Sequence, residues 1–517
     1  MDFMETDDQL TIVNRSKEHV ISKQLIRNVP YFEKMLSLDL KESKENEVVL
    51  DFDEKTLKSF LNWLELGDIF IEMDYVIHLY NMLDYFGIKD DLLQDCINYF
   101  NDNFIIEHLP IVIPQVTPVS KLINSSHLNA FICRYFLKIA DTCVFSSYPV
   151  ETIEYICALD LMIDSEIQVF DAIMRWGNCH ADSAKYHLEK LLTLVRWCYF
   201  KDKDLSKIEE KTQSLSFHPS KLCSSKKCDC DLTGNRTKQE HFIGIYKMNA
   251  TSLRIIVNDN NFYPLMEKVI KLNNSMTIDV FPDEHVSDIF LDSGNQTIRI
   301  DWKRNEYRLL DESQCKTYCI KILNCIQESN CIALGFVLPD EKCLYKFRCY
   351  GLCLFEASEK FVLICDDFSS VESSPARAEL VAKYFQTDGV NDFRATILDD
   401  NIYLLSESDF INLNIDTNKK SVIGLEWFNN RLRFENCLLT SRKANDDRVI
   451  LIDKSTKDAF SFNVNTSQWS SMGRFGNCNR KFPDVQDSTN KLLTLTSAFI
   501  SLDTMRTCFA HNANSKK

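Results

Sequence analysis

The sequence contains few residues that break regular structure. Only 12 of its 517 residues are glycine and 11 are proline, which excludes collagen-like and low-complexity compositions. Residues 201–517 hold nine glycines and no adjacent glycine pair. Turns in that part of the chain that need a positive φ must therefore use other residues, and asparagine and aspartate tolerate it best.

Long apolar segments are also missing. No run of 18 apolar residues could span a bilayer, and the opening MDFMETDDQL is acidic where a signal peptide would be apolar. We therefore predict a cytoplasmic protein that has no membrane partner. In that compartment the 20 cysteines are expected to be reduced, and the glycosylation motifs at Asn235, Asn249 and Asn295 to be chance matches.

Basic residues are outnumbered, 59 to 75, which gives a formal net charge of −16. Nucleic-acid binding depends on neutralising phosphates, so nucleic acid is not an expected partner. The motifs HExxH, GxxxxGK[ST] and GxGxxG are all absent from the sequence. We predict no catalytic residue, no cofactor and no metal, and therefore a binding protein that is not an enzyme.

The N-terminal hundred residues combine two periodicities. Alternating apolar residues at 10–13 and 48–50 predict short strands. Leu57, Phe60, Leu61 and Leu64 lie at i, i+3, i+4 and i+7 and predict an amphipathic helix with Asp53 near its start. Two more helices are predicted over 76–83, ended by Gly87, and over 92–100. Strands followed by helices indicate an α+β domain.

Residues 109–118 carry three prolines, which predict a break in helix and a first domain junction. Helical periodicity then returns over 127–200, where Ser165 and Gln168 have the spacing of a capping box. Residues 206–240 are polar and predict a linker. The multidomain prediction is thus an α+β domain, an all-α domain and, beyond residue 240, an all-β domain.

The all-β prediction rests on short apolar runs separated by Asn, Asp and Ser. Three stretches share a plan of strand, polar turn, strand and Asp/Asn-Thr: IYLLSESDFINLNIDT, VILIDKSTKDAFSFNVNT and LLTLTSAFISLDT. The endings of the first two, Asp416 and Asn465, are 49 residues apart, which suits one four-stranded propeller blade, whereas Asp503 follows after 38. These copies predict equivalent turns in successive blades, five or six in all, with turns at 399–401 and 445–447 made by Asn and Asp.

Three segments resemble parts of the kelch-like protein family. KEHVISKQLIRNVPYFEKMLSLDLKE (residues 17–42) resembles the BTB/POZ domain, with a strand ending in His19 and a triplet Leu40-Lys41-Glu42. DLMIDSEIQVFDAIMRW, followed by LLTLVRW, resembles the BACK domain, and DAFSFNVNTSQWSSMGR is similar to half of a kelch repeat. The resemblance implies a BTB/POZ domain at 7–108, a BACK domain at 119–205, a linker at 206–240 and a degenerate kelch-type propeller at 241–517. Because diglycines are missing, another all-β domain stays open as an alternative.

The resemblance also implies a function. In the family the hydrophobic-x-Glu triplet contacts the cullin scaffold of a ubiquitin ligase, which makes Leu40 and Glu42 candidate cullin-binding residues. Glu65 and Leu66 are further candidates, since Glu65-Leu66-Gly67 stands where many relatives have Tyr-Thr-Gly. The implied protein is a substrate adaptor of a cullin-RING ligase that binds an unidentified protein substrate through its C-terminal domain. The missing Tyr-Thr-Gly favours the alternative, a cytoskeletal or signalling BTB-BACK scaffold that does not bind a cullin.

Members of the family usually dimerise through an N-terminal helix and strand. Since about six residues precede Asp7-Asp8, we expect a weak homodimer whose interface uses Leu10, Ile12, His19 and Leu25. His19 is interpreted as a structural histidine at a strand-to-helix junction, because no Ser or Cys elbow accompanies it.

Two cysteine groups allow more than one interpretation. Cys223, Cys228 and Cys230, with His218 and His241, are either free linker thiols or zinc ligands, and the lack of paired CxxC motifs favours free thiols. The second group is either buried strand cysteine or a redox sensor. Its members are Cys315, Cys319, Cys325, Cys331, Cys343, Cys349 and Cys353.

Overall fold

The computed structural model describes most of the chain. The described residues are 8–38, 40–89, 91–200, 208, 234–259, 261–291, 296–326, 343–347, 350–357, 360–364, 394–398, 401–405, 409–414, 420–424, 432–441, 447–475 and 491–509. They belong to two compact units. The first unit comprises residues 1–130 with 324–326, and the second comprises 131–323 with 327–517.

The first unit begins with a three-stranded sheet. Its strands are β1 (Gln9–Asn14), β2 (Lys17–Ser22) and β3 (Glu47–Leu50), in the order β2-β1-β3. β1 pairs antiparallel with β2 and parallel with β3. Leu10 and Ile12 point into the core and their neighbours point outward, as the alternation of apolar residues predicted.

Helices cover the inner face of this sheet. They are α1 (Lys23–Ile26), α2 (Pro30–Ser37), α3 (Lys41–Glu45), α4 (Glu54–Leu66), α5 (Val76–Tyr85), α6 (Asp91–Asn103) and the short α7 (Leu109–Val112). The three helices predicted from apolar stripes are therefore confirmed as α4, α5 and α6. Phe86, at the end of α5, lies in the middle of an aromatic cluster in this core. Its ring centroid is 5.1 Å from those of Phe32 and Phe60 and 5.4 Å from that of Phe52.

The ends of α4 follow from single residues. Asp53 precedes the helix, and its carboxylate accepts hydrogen bonds of 3.0 Å from both the backbone N–H and the hydroxyl of Thr56. Gly67 ends the helix with φ = 79°, a conformation that few residues other than glycine adopt, and its N–H donates to the Trp63 carbonyl.

The proline-rich segment is more regular than predicted. Pro110 and Pro114 occupy first-turn positions in α7 and in a 3₁₀ turn at Ile113–Gln115. A proline at the start of a helix loses no hydrogen bond, because the first N–H groups have no intrahelical partner. The predicted break lies before this segment, because α6 ends at Asn103, and residues 109–115 then form the short α7 and the 3₁₀ turn.

The helical region continues with α8 (Ser125–Ala140), α9 (Cys143–Ser147), α10 (Val150–Ala158), α11 (Glu166–Cys179) and α12 (Ala181–Leu192). The predicted capping box is confirmed at the start of α11. The Ser165 hydroxyl accepts from the N–H of Ile167, and the side-chain oxygen of Gln168 accepts from the N–H of Ser165. Trp176 is buried and its Nε1 donates to the Tyr148 carbonyl at 2.9 Å, which joins α11 to α9.

The C-terminal region consists of strands with two helices. The strands are β4 (Glu240–Lys247), β5 (Ser252–Asn258), β6 (Pro264–Leu272), β7 (Val286–Leu291), β8 (Gln296–Asp301), β9 (Glu306–Leu310), β10 (Cys343–Phe347), β11 (Tyr350–Ala357), β12 (Lys360–Ile364), β13 (Arg394–Leu398), β14 (Asn401–Leu405), β15 (Phe410–Asn414), β16 (Lys420–Ile423), β17 (Cys437–Ser441), β18 (Arg448–Asp453), β19 (Asp458–Asn463), β20 (Gln468–Arg474) and β21 (Lys491–Phe499). The helices are α13 (Glu312–Ile326) and α14 (Leu502–Phe509).

These strands form sheets in succession along the chain. The sheets have the orders β21-β4-β5-β6-β9-β8-β7, β10-β11-β12, β13-β14-β15-β16 and β17-β18-β19-β20. β6 and β9 join through only two residue pairs, so the first of these combines a four-stranded and a three-stranded antiparallel set. β21, the last strand, pairs with β4, the first strand of the region. Successive sheets in which the last strand pairs with the first are the organisation of a kelch propeller-like β domain.

Of the three predicted copies of the internal repeat, two form the expected pair of strands. IYLLSESDFINLNIDT forms β14 and β15, and VILIDKSTKDAFSFNVNT forms β18 and β19, the second and third strands of two four-stranded sheets. The third copy was wrong, because LLTLTSAFISLDT forms one strand, β21, and then begins α14 at Leu502. Asn465 lies in the β19–β20 turn, whereas Asp416 lies outside the described residues.

Turns in the β17–β20 sheet use aspartate and asparagine as side-chain acceptors. Asp453 accepts from the N–H of Ser455 at 2.7 Å, and Asn463 accepts from the N–H of Asn465 at 3.0 Å. The positive φ values fall on other residues, Lys457 and Ser467, at 62° and 55°. Of the turns predicted at 399–401 and 445–447, only Asn401 and Asp447 lie within the described residues.

A buried ion pair connects the helical region to the start of β4 within the second unit. The guanidinium of Arg236 donates to both carboxylate oxygens of Glu166 at 2.8 Å, and both side chains are 0% exposed. The same guanidinium donates to the carbonyls of Cys157, Leu159 and Leu194 at 2.8–3.3 Å. Arg236 therefore satisfies carbonyls at the ends of α10 and α12 as well as the first residue of α11.

Neighbouring hydrogen bonds extend this connection. Arg196 donates its backbone N–H to Glu166 and its guanidinium to the Gly234 carbonyl at 2.9 Å. Gln239 donates to the Leu161 carbonyl at 2.8 Å and accepts from the N–H of Leu502, at the start of α14. We call Glu166, Arg196, Arg236 and Gln239 the junction network. It joins the helices, β4 and the C-terminal helix.

A second contact between the helical and β regions lies at α8. Arg134 donates to the Val286 carbonyl at 2.5 Å, and the hydroxyls of Tyr135 and Tyr318 are 3.4 Å apart. Nearby, Arg299 and Asp288 form a buried pair at 2.8 Å. Burial raises the pKa of Asp288, but the hydrogen bond and charge of Arg299 outweigh this and lower the pKa overall.

The N-terminal cap of α4 can be tested by substitution. We expect Asp53→Ala to destabilise the first unit by about 1 kcal/mol, because Thr56 loses its acceptor. Burial raises the pKa of Asp53, but the hydrogen bonds from Thr56 lower it overall. The cap's contribution is therefore complete above the ordinary carboxyl pKa and is lost as pH falls through the lowered value. Hydrogen exchange of α4 in the full chain, with Asp53→Asn as an equally good neutral cap, measures both effects.

The buried pair gives a larger prediction. Arg236→Met leaves Glu166 buried without a cation and should reduce the free energy of unfolding of the second unit by about 3–5 kcal/mol. The matched control is Arg254→Met, since the Arg254–Glu267 pair at 2.7 Å is partly exposed and should contribute about 1 kcal/mol or less. Urea unfolding of both variants makes the comparison. Equal losses of stability would contradict a special role for the buried pair.

Candidate functional site

The segment between α2 and α3 carries the first pair of predicted cullin-binding residues. Leu40 immediately precedes α3 and its side chain is 41% exposed. Glu42 is half-buried in the first turn of that helix. The Ser43 hydroxyl lies 2.8 Å from the Leu38 carbonyl and 2.9 Å from the Leu40 carbonyl, so the loop is held by local hydrogen bonds. The structure therefore presents Leu40 to solvent on an ordered backbone.

Two tyrosines lie beside Glu42. The rings of Tyr31 and Tyr85 have centroids 5.2 Å apart, and the N–H of Tyr31 donates to the Phe86 carbonyl at 3.1 Å. Burial, the hydrogen bond with Tyr85 and the charges of Tyr85 and Glu42 raise the pKa of Tyr31 to about 12. The phenol therefore stays protonated at neutral pH, and the carboxylate of Glu42 lies close to a fixed hydroxyl pair.

The second pair of predicted residues lies at the end of α4. Glu65 is exposed, Leu66 is 74% exposed, and Phe70 after the turn at Gly67 is 81% exposed. The carbonyl of Phe70 accepts from the hydroxyls of Tyr75 at 2.5 Å and Ser59 at 3.0 Å, which holds the turn in place. Two large apolar side chains thus project into solvent from a fixed backbone, an arrangement typical of binding surfaces.

These two stretches combine side chains that are suited to binding another protein. We call Leu38, residues 40–42 and residues 65–70 the docking stretches. They offer apolar side chains, Leu40, Leu66 and Phe70, together with the carboxylates of Glu42 and Glu65. Apolar side chains bordered by charge are suited to a complementary protein groove.

The predicted dimer residues differ in their exposure. Leu10 and Ile12 are fully buried in the core of the first unit, so their side chains are not on its surface. Leu25 is half-buried. His19 lies within β2, four residues before α1, and its Nε2 is 3.0 Å from Glu54 Oε1. This position supports a structural role for His19, although it is not at the predicted strand-to-helix junction. Homodimerisation stays a prediction.

The sequence did not predict several residues of the docking stretches and the junction network. Tyr85 and Phe70 were not predicted because their exposure depends on the packing of α4 and α5. Arg236 was missed because it lies in a polar stretch predicted as linker, and its partner Glu166 is 70 residues away. The residues of the Cys223, Cys228 and Cys230 cluster lie outside the described residues, and His241 is buried in β4.

Among the described residues, no helix is both long enough and apolar enough to cross a membrane. This agrees with the absence of a long apolar run in the sequence.

Comparison with known proteins supports the helical assignment. Residues 119–210 match the family model described as "BACK: BTB And C-terminal Kelch". Kelch-like protein 40a of Danio rerio is 26% identical over 181 residues, which cover 34% of this chain and 29% of that protein. Kelch-like protein 40 of Xenopus laevis is 24% identical, covering 33% and 28%, and Kelch-like protein 17 of Homo sapiens is 20% identical, covering 32% and 26%. The alignments thus span less than a third of these relatives.

Comparison of structures adds no argument. Citrobacter koseri AztD shares 9% identity and a TM-score of 0.19 over 49% of this chain and 61% of that chain, too low to support a shared fold. The family conclusion rests instead on the BACK match, the kelch-like relatives and the order of helical and β regions. Residues 119–210 thus match a BACK domain, and the chain is similar to kelch-like proteins of the BTB-BACK type.

Proposed function

We propose that this protein is a substrate adaptor of a cullin-RING ubiquitin ligase and carries out no reaction itself. Residues 7–108 act as the BTB/POZ domain, 119–205 as the BACK domain, 206–240 as the linker and 241–517 as the substrate-binding β domain. The docking stretches and the start of the BACK domain bind the cullin scaffold. The β domain binds a protein substrate, which raises its effective concentration near the ubiquitin-charged enzyme.

The observation that carries this proposal is the exposure of Leu40 beside Glu42 on an ordered loop. An anchor that fills a groove must be exposed before binding and must lose little conformational freedom when it binds. Leu40 satisfies the first condition with 41% exposure, and the hydrogen bonds of Ser43 satisfy the second. Glu42 is half-buried, and burial, Tyr85 and the charge of Glu42 together raise the pKa of Tyr31; we assign Glu42 the role of accepting a hydrogen bond from a partner.

The second unit supports the other half of the proposal. An adaptor holds its substrate at a defined distance from the catalytic partner, so the substrate-binding region must not move freely on the BACK helices. The junction network and the Arg134–Val286 hydrogen bond restrain that movement within the second unit. A fixed geometry of this kind favours transfer to a limited set of substrate lysines.

A scaffold without cullin binding is the second candidate function. It is favoured by Glu65-Leu66-Gly67, which replaces the Tyr-Thr-Gly of many relatives with an exposed acid and an exposed leucine. In that case Leu66 and Phe70 bind a cytoskeletal or signalling protein instead. Copurification of a cullin with the full chain distinguishes the two functions.

Of the cysteines predicted as a buried or redox-sensing group, Cys325 is buried, and that prediction stays open. Burial argues against redox sensing at four other cysteines. Burial raises the pKa of the thiols of Cys96, Cys133, Cys157 and Cys437 to about 12, so they stay protonated at neutral pH. A protonated, buried thiol reacts slowly with oxidants. Cys143, Cys179 and Cys198 are exposed.

The cullin site can be tested by calorimetry with a purified cullin that binds BTB proteins. We expect the double substitution Leu40→Ala, Glu42→Ala to weaken binding about tenfold or more, because it removes a buried anchor and a charged acceptor. Glu65→Ala with Leu66→Ala tests the second docking stretch in the same way. Val20→Ala, an exposed apolar residue on β2, is the matched control and should leave affinity unchanged.

Two outcomes would argue against this site. If the wild-type chain does not bind the cullin, the scaffold function is supported. If it binds and the Leu40, Glu42 double variant binds equally well, the docking stretch has been assigned to the wrong residues.

Thiol reactivity gives an independent test of burial. Brief treatment of the native chain with iodoacetamide at neutral pH should modify Cys143, Cys179 and Cys198 and spare Cys96, Cys133, Cys157 and Cys437. Unfolding in urea should make all of them reactive, because the raised pKa depends on burial. Mass spectrometry of the peptides measures this. Rapid native labelling of Cys133 or Cys157 would show that the helical core opens readily.

A further inference from the structure

A buried histidine and three carboxylates meet where β7 and α14 begin. His285 precedes β7 and is 3% exposed, and Asp283 and Glu284 come just before it. One ligand atom from each of these three residues lies within 4.8 Å of the others. Asp503, in the first turn of α14, brings a carboxylate oxygen to 3.9 Å from His285 Nε2. Both segments belong to the second unit.

The hydrogen bonds of Thr504 set the orientation of the imidazole. Its hydroxyl lies 3.1 Å from His285 Nδ1 and 3.2 Å from the Glu284 carbonyl. The same hydroxyl lies 2.7 Å from Ser501 Oγ, where either atom can donate. When Thr504 donates to Ser501 or to the Glu284 carbonyl, which only accepts, Nδ1–H of the histidine donates to Thr504. In the neutral imidazole, Nε2 then carries the lone pair.

That lone pair faces negative charge. Nε2 lies 3.6 Å from Glu284 Oε1 and 3.9 Å from Asp503 Oδ2, and no hydrogen bond to Nε2 is found in the described part of the chain. Within the same residues, neither Glu284 nor Asp503 pairs with a lysine or an arginine. A lone pair and carboxylates that face one another at this distance repel, and either a proton on Nε2 or a shared metal cation removes that repulsion.

We propose that His285, Glu284 and Asp283, with Asp503 approaching from α14, form a binding site for a divalent transition metal, and that this metal is zinc. Zinc binds imidazole nitrogen and carboxylate oxygen at about 2.1 Å, which sets tetrahedral ligands about 3.4 Å apart. The separations of 3.6 and 3.9 Å are within a few tenths of an ångström of this spacing.

The ligand types also select the metal. Magnesium and calcium prefer oxygen ligands, whereas an imidazole nitrogen favours zinc and its neighbours. Thr504 holds the Nδ1–H of His285, which is the outer hydrogen bond that orients a metal-binding histidine. A bound ion would connect β7 to α14, the helix that follows β21, and would therefore strengthen the closure of the β region.

The experiment uses the full chain, stripped of metal with a chelator and titrated with zinc by calorimetry. We expect one site of this kind per chain. Glu284→Gln and Asp503→Asn should each weaken zinc binding about tenfold or more, because an amide oxygen carries no charge. Glu267→Gln, an exposed carboxylate on β6, is the matched control and should bind zinc as the wild type does. Magnesium should not compete.

Two further measurements separate this site from the cysteines and from misfolding. Cobalt in place of zinc should give a spectrum without strong thiolate charge-transfer bands, and the zinc-induced rise in Tm should disappear in Glu284→Gln and Asp503→Asn. Both carboxylates are partly exposed, so these variants should fold, and their circular dichroism without metal should match the wild type. The proposal is wrong if the wild-type chain does not bind zinc, if both variants bind it unchanged, or if only thiolate-bound cobalt is seen.

Discussion

The second unit depends on a buried charge pair. Arg236 and Glu166 are both completely buried, and each would be costly to bury alone. The structure repays that cost because the remaining guanidinium hydrogens reach the carbonyls of Cys157, Leu159 and Leu194, and Glu166 also accepts from Arg196. The same residues therefore bind the helices to the start of the β region.

The second unit is held together by buried polar contacts, whereas the first unit exposes apolar side chains. The junction network and the α8 contacts use hydrogen bonds and charges inside the second unit. In the first unit, Leu40, Leu66 and Phe70 leave apolar surface exposed although a buried core was available to them. Apolar residues held in solvent on helix ends and turns make sense as binding surface.

The periodicity of apolar residues predicted secondary structure correctly where a helix or strand buries only one of its faces. The stripes of α4, α5 and α6, the alternation in β1 and the capping box at Ser165 were all predictable because their signals lie within a few residues of one another. The third repeat failed for the opposite reason. LLTLTSAFISLDT has the local composition of a hairpin, but pairing with β4 keeps it extended as one strand, and no local signal reveals such a distant partner.

The sequence by itself determined the α+β, all-α and all-β order of the chain, the family resemblance and the candidate residues Leu40, Glu42, Glu65 and Leu66. Only the tertiary structure decided that Arg236 meets Glu166, that Tyr31 and Tyr85 lie beside Glu42, and that His285 meets Asp503 from the far end of the chain. Local preferences act through backbone geometry and neighbouring side chains, so they can be read along the sequence. Contacts between distant segments depend on how whole elements pack, and a single sequence holds no short-range record of them.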